Sequence, residues 1–168
     1  YWSTSGQKTE EINYDNGVHH GSHIKWFGEK SDQHKKFHIN YKDGKKDGNW
    51  RHWYSSGVDS LKATYLNGEK DGHWIWWRKN GLKDKEGFYK KEKKHGLWTI
   101  WNDSTGSAYH KLHEETYVND AIDGKVTKWY KEGDLDRQGI MRGKEKEGEW
   151  TYWERGGKRW LKFDYGDG

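Results

Sequence analysis

The chain has 168 residues and a net charge of +4, with 35% charged and 30% hydrophobic side chains and a mean hydropathy of −1.45. Such polarity ordinarily marks a chain too poor in apolar surface to order itself, but 13 Trp, 11 Tyr and the absence of proline argue for a packed aromatic fold. Zero cysteines exclude disulfides, thiolate zinc sites and a cysteine nucleophile, and no apolar run reaches the roughly 18 residues of a membrane span.

The chain opens at Tyr1-Trp2-Ser3-Thr4-Ser5-Gly6, which has the Trp-to-Gly spacing of Trp53-Tyr54-Ser55-Ser56-Gly57 and reads as the tail of an aromatic strand. The start at Tyr1 is compatible with removal of a leader. From there the sequence repeats on Gly21, Gly48, Gly72, Gly96, Gly124 and Gly148, at spacings of 27, 24, 24, 28 and 24, so the unit is 24 residues. Five places after these glycines stand Trp26, Trp53, Trp77, Trp101, Trp129 and Trp153 without exception. Two places after them stand His23, Trp50, Trp74, Trp98, Val126 and Trp150. Seven places before them stand Tyr14, Tyr41, Tyr65, Tyr89, Tyr117 and Met141. Nine places after them come Lys30, Gly57, Gly81, Gly133 and Gly157, with Gly106 displaced by one in the fourth unit. The extra residues of the two longer spacings fall before the tyrosine strand, at 31–38 and 107–114, where they are expected to form loops or bulges on one edge. Tyr165-Gly166-Asp167-Gly168 reads as the opening of another hairpin turn.

Each unit reads as two antiparallel strands. Asn67-Gly68 and Asn80-Gly81 are pairs that tolerate φ > 0, as short hairpin connections require, and they flank the aromatic run "HWIWWRK". "LKATY" and "KFDY" supply companion strands with partial alternation. The 22 glycines punctuate every helical window, so helix is not expected. The key glycines, and Asp47, Asp71 and Asp123 before them, are assigned to turns. A lone hairpin of this size cannot offset its ordering entropy, so units are expected to stack cooperatively in one domain over residues 1–168.

The unit is best seen from Tyr65 to Gly81, "YLNGEKDGHWIWWRKNG". It resembles the MORN-repeat family, in its antitoxin-like, YwqK-type variant, over nearly the whole chain. The chain departs from the pattern at Met141, at "MRGKEKEG" and at Glu92 in "YKKEKKHG". The resemblance implies a β-hairpin repeat array used for binding, with no common catalytic residue. The fold class expected is therefore all-β: an elongated antiparallel β-hairpin repeat array of about six 24-residue units.

Strand alternation gives the Trp-bearing strand two faces. One carries Trp26, Trp53, Trp77, Trp101, Trp129 and Trp153, and its unvarying tryptophan reads as a structural column. The other carries Trp50, His52, Trp74, Trp76, Trp98, Ile100, Lys128, Trp150 and Tyr152. Its variable positions are what a recognition surface needs, against the alternative of a second, partly solvated side of an aromatic sheet.

Ten histidines raise a metal site, but His19, His20 and His23 lack a carboxylate set of usual geometry, and no metal or cofactor is expected. Serine elbows, phosphate loops and dinucleotide fingerprints are missing, which points away from an enzyme. Interspersed charge of both signs argues against nucleic acid. The expected function is a non-catalytic scaffold for a protein partner, antitoxin- or immunity-like by resemblance. A carbohydrate- or lipid-binding aromatic face, and self-association through the sheet edges into a dimer or filament, are the alternatives.

Overall fold

A computed structural model describes residues 1–28, 34–103 and 108–166. Lys30, Gly106 and parts of both inserted segments lie outside the described residues. Among those described, all regular structure is strand, antiparallel throughout, as the glycine punctuation and aromatic runs require. The chain divides into two compact units, Tyr1–Lys83 and Asp84–Gly168.

The first unit holds β1 (Glu10–Asp15), β2 (Val18–Trp26), β3 (Lys35–Lys42), β4 (Lys45–Trp53), β5 (Asp59–Leu66), β6 (Glu69–Lys70) and β7 (Gly72–Trp77). Its sheet order is β1-β2-β3-β4-β5-β7, with the short β6 also on β5. The second holds β8 (Lys83–Lys90), β9 (Lys93–Trp101), β10 (Lys111–Val118), β11 (Ala121–Trp129), β12 (Leu135–Arg142), β13 (Glu145–Trp153) and β14 (Arg159–Asp164), paired in that order. Each is a meander in which sequence neighbours are sheet neighbours.

Two kinds of connection alternate. At the tyrosine end the turns have two residues: Asn67 and Gly68 take φ of 51° and 94°, the left-handed pair that matches strand twist. At the tryptophan end the connection is longer. The Gly81 N–H donates to Arg78 O and the Arg78 N–H to Leu82 O, both at 2.9 Å. Gly81 alone is left-handed there (φ 83°), so Asn80-Gly81 is not a copy of Asn67-Gly68. It closes a three-residue loop, and the same pair of bonds recurs at Gly57, Gly133 and Gly157.

The key glycines are not turn residues, which corrects the sequence assignment. Gly48 lies inside β4, where Asp47-Gly48-Asn49 together face the single Asn40, because Tyr41 pairs with Lys46 and Ile39 with Trp50. This bulge needs one residue at positive φ, and all six key glycines have φ between 58° and 128°. Asp47 serves the adjacent hairpin instead of its own turn: its carboxylate accepts the Asn67 N–H at 2.9 Å. Backbone bonds do the same work. Gly44 N–H donates to His19 O (2.8 Å) and Gly68 N–H to Lys46 O (2.7 Å) in the first unit. In the second, Asp120 N–H donates to Lys94 O (3.0 Å) and Gly143 N–H to Ile122 O (2.7 Å). These four two-residue turns are thus each clipped to the hairpin before them.

Candidate functional site

The bulge fixes which side chains share a face. On one face of each unit's sheet, the column two places after the key glycine meets the tyrosine column and the column nine places before. Trp74, Trp98, Val126 and Trp150 are buried there, at 4%, 6%, 2% and 2% exposure, while Trp50 and His23 are half-buried. Within this set, Trp50 lies 5.7 Å from Tyr65 and 6.1 Å from Trp74, and Trp98 meets Tyr89 edge-on at 5.1 Å. Each buried indole also donates backward: Trp74 to Thr64 O (3.1 Å), Trp98 to Phe88 O (3.1 Å) and Trp150 to Ile140 O (2.9 Å). Polar edges are thereby satisfied where the rings are desolvated.

The buried indoles Trp74, Trp98 and Trp150 are matched by small residues, whereas the half-buried Trp50 faces Ile39. A Cβ built on Gly87 would come within 2.2 Å of the Trp98 ring, and one on Gly139 within 2.3 Å of the Trp150 ring. Ala63, itself buried, holds the corresponding place before Trp74. Where the column carries Val126 instead, the facing residue is Glu115. Lysines two places before the key glycine cover the rings from outside. Lys46 lies 4.9 Å from Trp50, Lys70 5.7 Å from Trp74, Lys94 4.6 Å from Trp98 and Lys146 5.0 Å from Trp150. These distances suit cation–π contact.

The unvarying tryptophans occupy the other face, near the three-residue loops. Trp101 is buried at 9% exposure, but Trp26, Trp53, Trp77, Trp129 and Trp153 are only half-buried. Cations cover several: Arg51 lies 5.0 Å from Trp53 and Lys62 5.1 Å from Trp77, and both bind Asp59. Tyr54 donates to Trp77 O (2.7 Å) and Tyr130 to Trp153 O (2.8 Å), tying successive hairpins together.

The division into structural and recognition faces therefore differs from the sequence expectation. Of the residues read as recognition candidates, Trp74, Trp98 and Trp150 are closed off and carry the packing. Trp50, His52, Trp76, Lys128 and Tyr152 are half-buried, and Ile100 is exposed at 39%. His52, Trp76, Ile100, Lys128 and Tyr152 occupy one register position, four places after the key glycine. Gly87, Gly139 and Glu115 were not singled out in the sequence. Their signal is the small residue nine places before the key glycine at Ala63, Gly87 and Gly139, with Glu115 where Val126 replaces tryptophan, legible only beside the tryptophan column.

The three clustered histidines, His19, His20 and His23, each have a different neighbour. His23 bonds Glu10 at 2.9 Å, His19 packs against Tyr14 and Tyr41 at 4.6 and 4.8 Å, and His20 lies 3.3 Å from Asp43. Among the described residues no group of three His, Asp or Glu side chains is placed to hold a metal ion.

A polar cluster surrounds Val126. Tyr117 donates to one Glu115 oxygen at 2.6 Å and Lys128 lies 3.4 Å from the other. Burial works to raise the Glu115 pKa, but these two donors outweigh it and hold the carboxyl below the usual glutamate value. Burial, then donation to that carboxylate, pushes the Tyr117 phenol far above the usual tyrosine range. Desolvation lowers His113, with Lys128 and Arg137 adding to it against Glu115 and Asp136.

His38 and His52 are lowered by desolvation as well. Imidazoles held neutral in the folded state take up protons more readily when the chain unfolds. Their stabilisation is complete above the unfolded histidine value of about 6.5 and is lost as pH falls through it. The urea midpoint is expected to drop between about pH 8 and pH 5.5, and His113→Gln should flatten part of that slope. A midpoint constant over this range would contradict the assignment.

Together these features define an all-β hairpin-repeat sheet protein with an aromatic, lysine-covered face. Comparison of the chain with protein-family models and with curated proteins gives no match.

Proposed function

We propose that the chain is a non-catalytic repeat scaffold that binds a protein partner, in an antitoxin- or immunity-like role of the kind its MORN-like motif implies. The observation that carries this reading is the column four places after the key glycine. There the first unit presents Lys25, His52 and Trp76, and the second presents Ile100, Lys128 and Tyr152. All six stand half-buried or exposed beside columns of nearly constant composition. A fixed framework with chemically varied side chains at one register suits a partner with varied side chains of its own. A sugar polymer would be better served by a row of identical exposed rings, and the repeated indoles two places after the glycine are mostly closed off.

The test is the double variant Trp76→Ala/Tyr152→Ala. A protein retained by the native chain should be lost with the double variant, while the urea midpoint falls less than it does for Trp74→Ala. Retention of the same protein by both chains would refute the reading. So would loss of binding only in variants that unfold.

A further inference from the structure

Three departures from the repeat pattern converge in the second unit. The column of lysines carries Ile122, the buried tryptophan column carries Val126, and the tyrosine column carries Met141. Far apart in the pattern, they line one cavity of about 280 Å³ with Trp150 as its aromatic wall. A second concavity of about 680 Å³ shares Ile122 with it. In four copies a lysine covers an indole at these two positions, and in the first copy both are histidines; here both are aliphatic side chains beside an open space.

The chemistry around the floor is one-sided. Lys128, Arg137 and Lys146 stand at the cavity against one lining carboxylate, Glu115, with Asp136 lying 3.7 Å from Arg137. Both oxygens of that carboxylate are already engaged, by Tyr117 and Lys128. Lys146 donates to the Tyr152 and Tyr165 hydroxyls at 2.7 and 2.9 Å, and these bonds raise its pKa. It faces no carboxylate within ion-pair distance among the described residues.

We propose that this cavity binds a planar aromatic ring bearing an anionic group. An apolar cavity of about 150 Å³ already admits benzene, so the volume is sufficient for a bicyclic ring. The ring would lie on Ile122 and Met141, above the buried Val126 and at the edge of the Trp150 indole, whose face Lys146 covers. Its carboxylate or phosphate would meet Lys146 and Arg137 at the rim. This site goes beyond the protein-partner reading but touches its column, since Lys128 stands at the cavity and Tyr152 accepts from Lys146; it rests on the gap in the constant columns, which a small-ligand titration tests on its own.

The test uses the full chain, isotopically labelled, and nuclear magnetic resonance. Titration with indole-3-acetate should give saturable shifts at Ile122, Val126, Met141 and the Trp150 indole N–H, with a Kd of roughly 0.1–1 mM. Tryptamine, the same ring with a positive charge, should bind about tenfold more weakly or not at all. Glu115→Gly/Val126→Trp rebuilds the Gly–Trp match found at Gly87 and Trp98 and fills the cavity; binding should fall at least about tenfold. Should that variant not fold, Val126→Met narrows the cavity without touching Glu115 and should weaken binding in the same direction.

Two sources share this chemistry, and a blocked acidic pentapeptide with a central tryptophan separates them. Peptide binding without indole-3-acetate binding identifies a protein side chain as the source; the reverse identifies a free aromatic acid. Either supports the proposal, provided that the alanine twin of the peptide does not bind. Absence of binding by both probes, equal binding of tryptamine, or shifts that persist in the filled variant would overturn it.

Discussion

Trp98→Ala is expected to lower the unfolding free energy by about 3–5 kcal/mol, the range for large aromatic truncations in a closed site. The ring is 6% exposed, meets Tyr89 edge-on at 5.1 Å and lies under Lys94. Its N–H donates to Phe88 O at 3.1 Å, so truncation also removes that hydrogen bond. Trp129→Ala, in the unvarying column but half-buried, should cost clearly less, about 1–2 kcal/mol. Urea unfolding of both variants decides the order. A loss at Trp129 equal to or greater than that at Trp98 would return the structural role to the unvarying column.

The second large effect comes from adding one methyl group. Gly87→Ala would place a Cβ 2.2 Å from the Trp98 ring, well inside van der Waals contact. The indole is boxed in by Tyr89, Tyr117 and Lys94, so it cannot swing away freely. A loss of about 2–3 kcal/mol follows from overpacking. The diagnostic is the double variant. Because Val126 faces the much larger Glu115 in the same unit, Gly87→Ala combined with Trp98→Val should cost less than the two changes summed. Simple additivity would mean that the ring and the glycine are not energetically coupled.

Much of the fold was legible in the sequence because its causes are local. Asn67-Gly68 specifies a tight turn whatever lies around it, and a glycine every few residues denies helix its length. The 24-residue period then orders the strands, since each hairpin pairs with its sequence neighbour. What escaped depends on partners across the ladder. A tryptophan's closure is decided by what faces it, so Trp98 above Gly87 is buried, while Trp129, present in every copy, stays partly open. Constancy along the chain was thus a poor guide to burial. The role of Gly48 escaped for a related reason. A glycine next to aspartate reads as a turn in isolation, and only the pairing of Tyr41 with Lys46 and Ile39 with Trp50 reveals a bulge. The Val126 cavity was visible as two unexplained departures, Val126 and Met141, whose convergence needed the register to appear.

The bulge also sets the grammar by which a chain like this can change its length. Three residues stand against one at Gly21, Gly48, Gly96, Gly124 and Gly148, and from that point the parity of the aromatic strand is counted. Loss of one residue, such as Asn49, would turn Trp50, His52 and Trp53 each to the opposite side of the sheet. Loss of 24 residues would remove one hairpin and leave every remaining side chain on its own side, with the next turn able to take up the vacated clip. Such a sequence is far more tolerant of losing a whole sentence than a single letter.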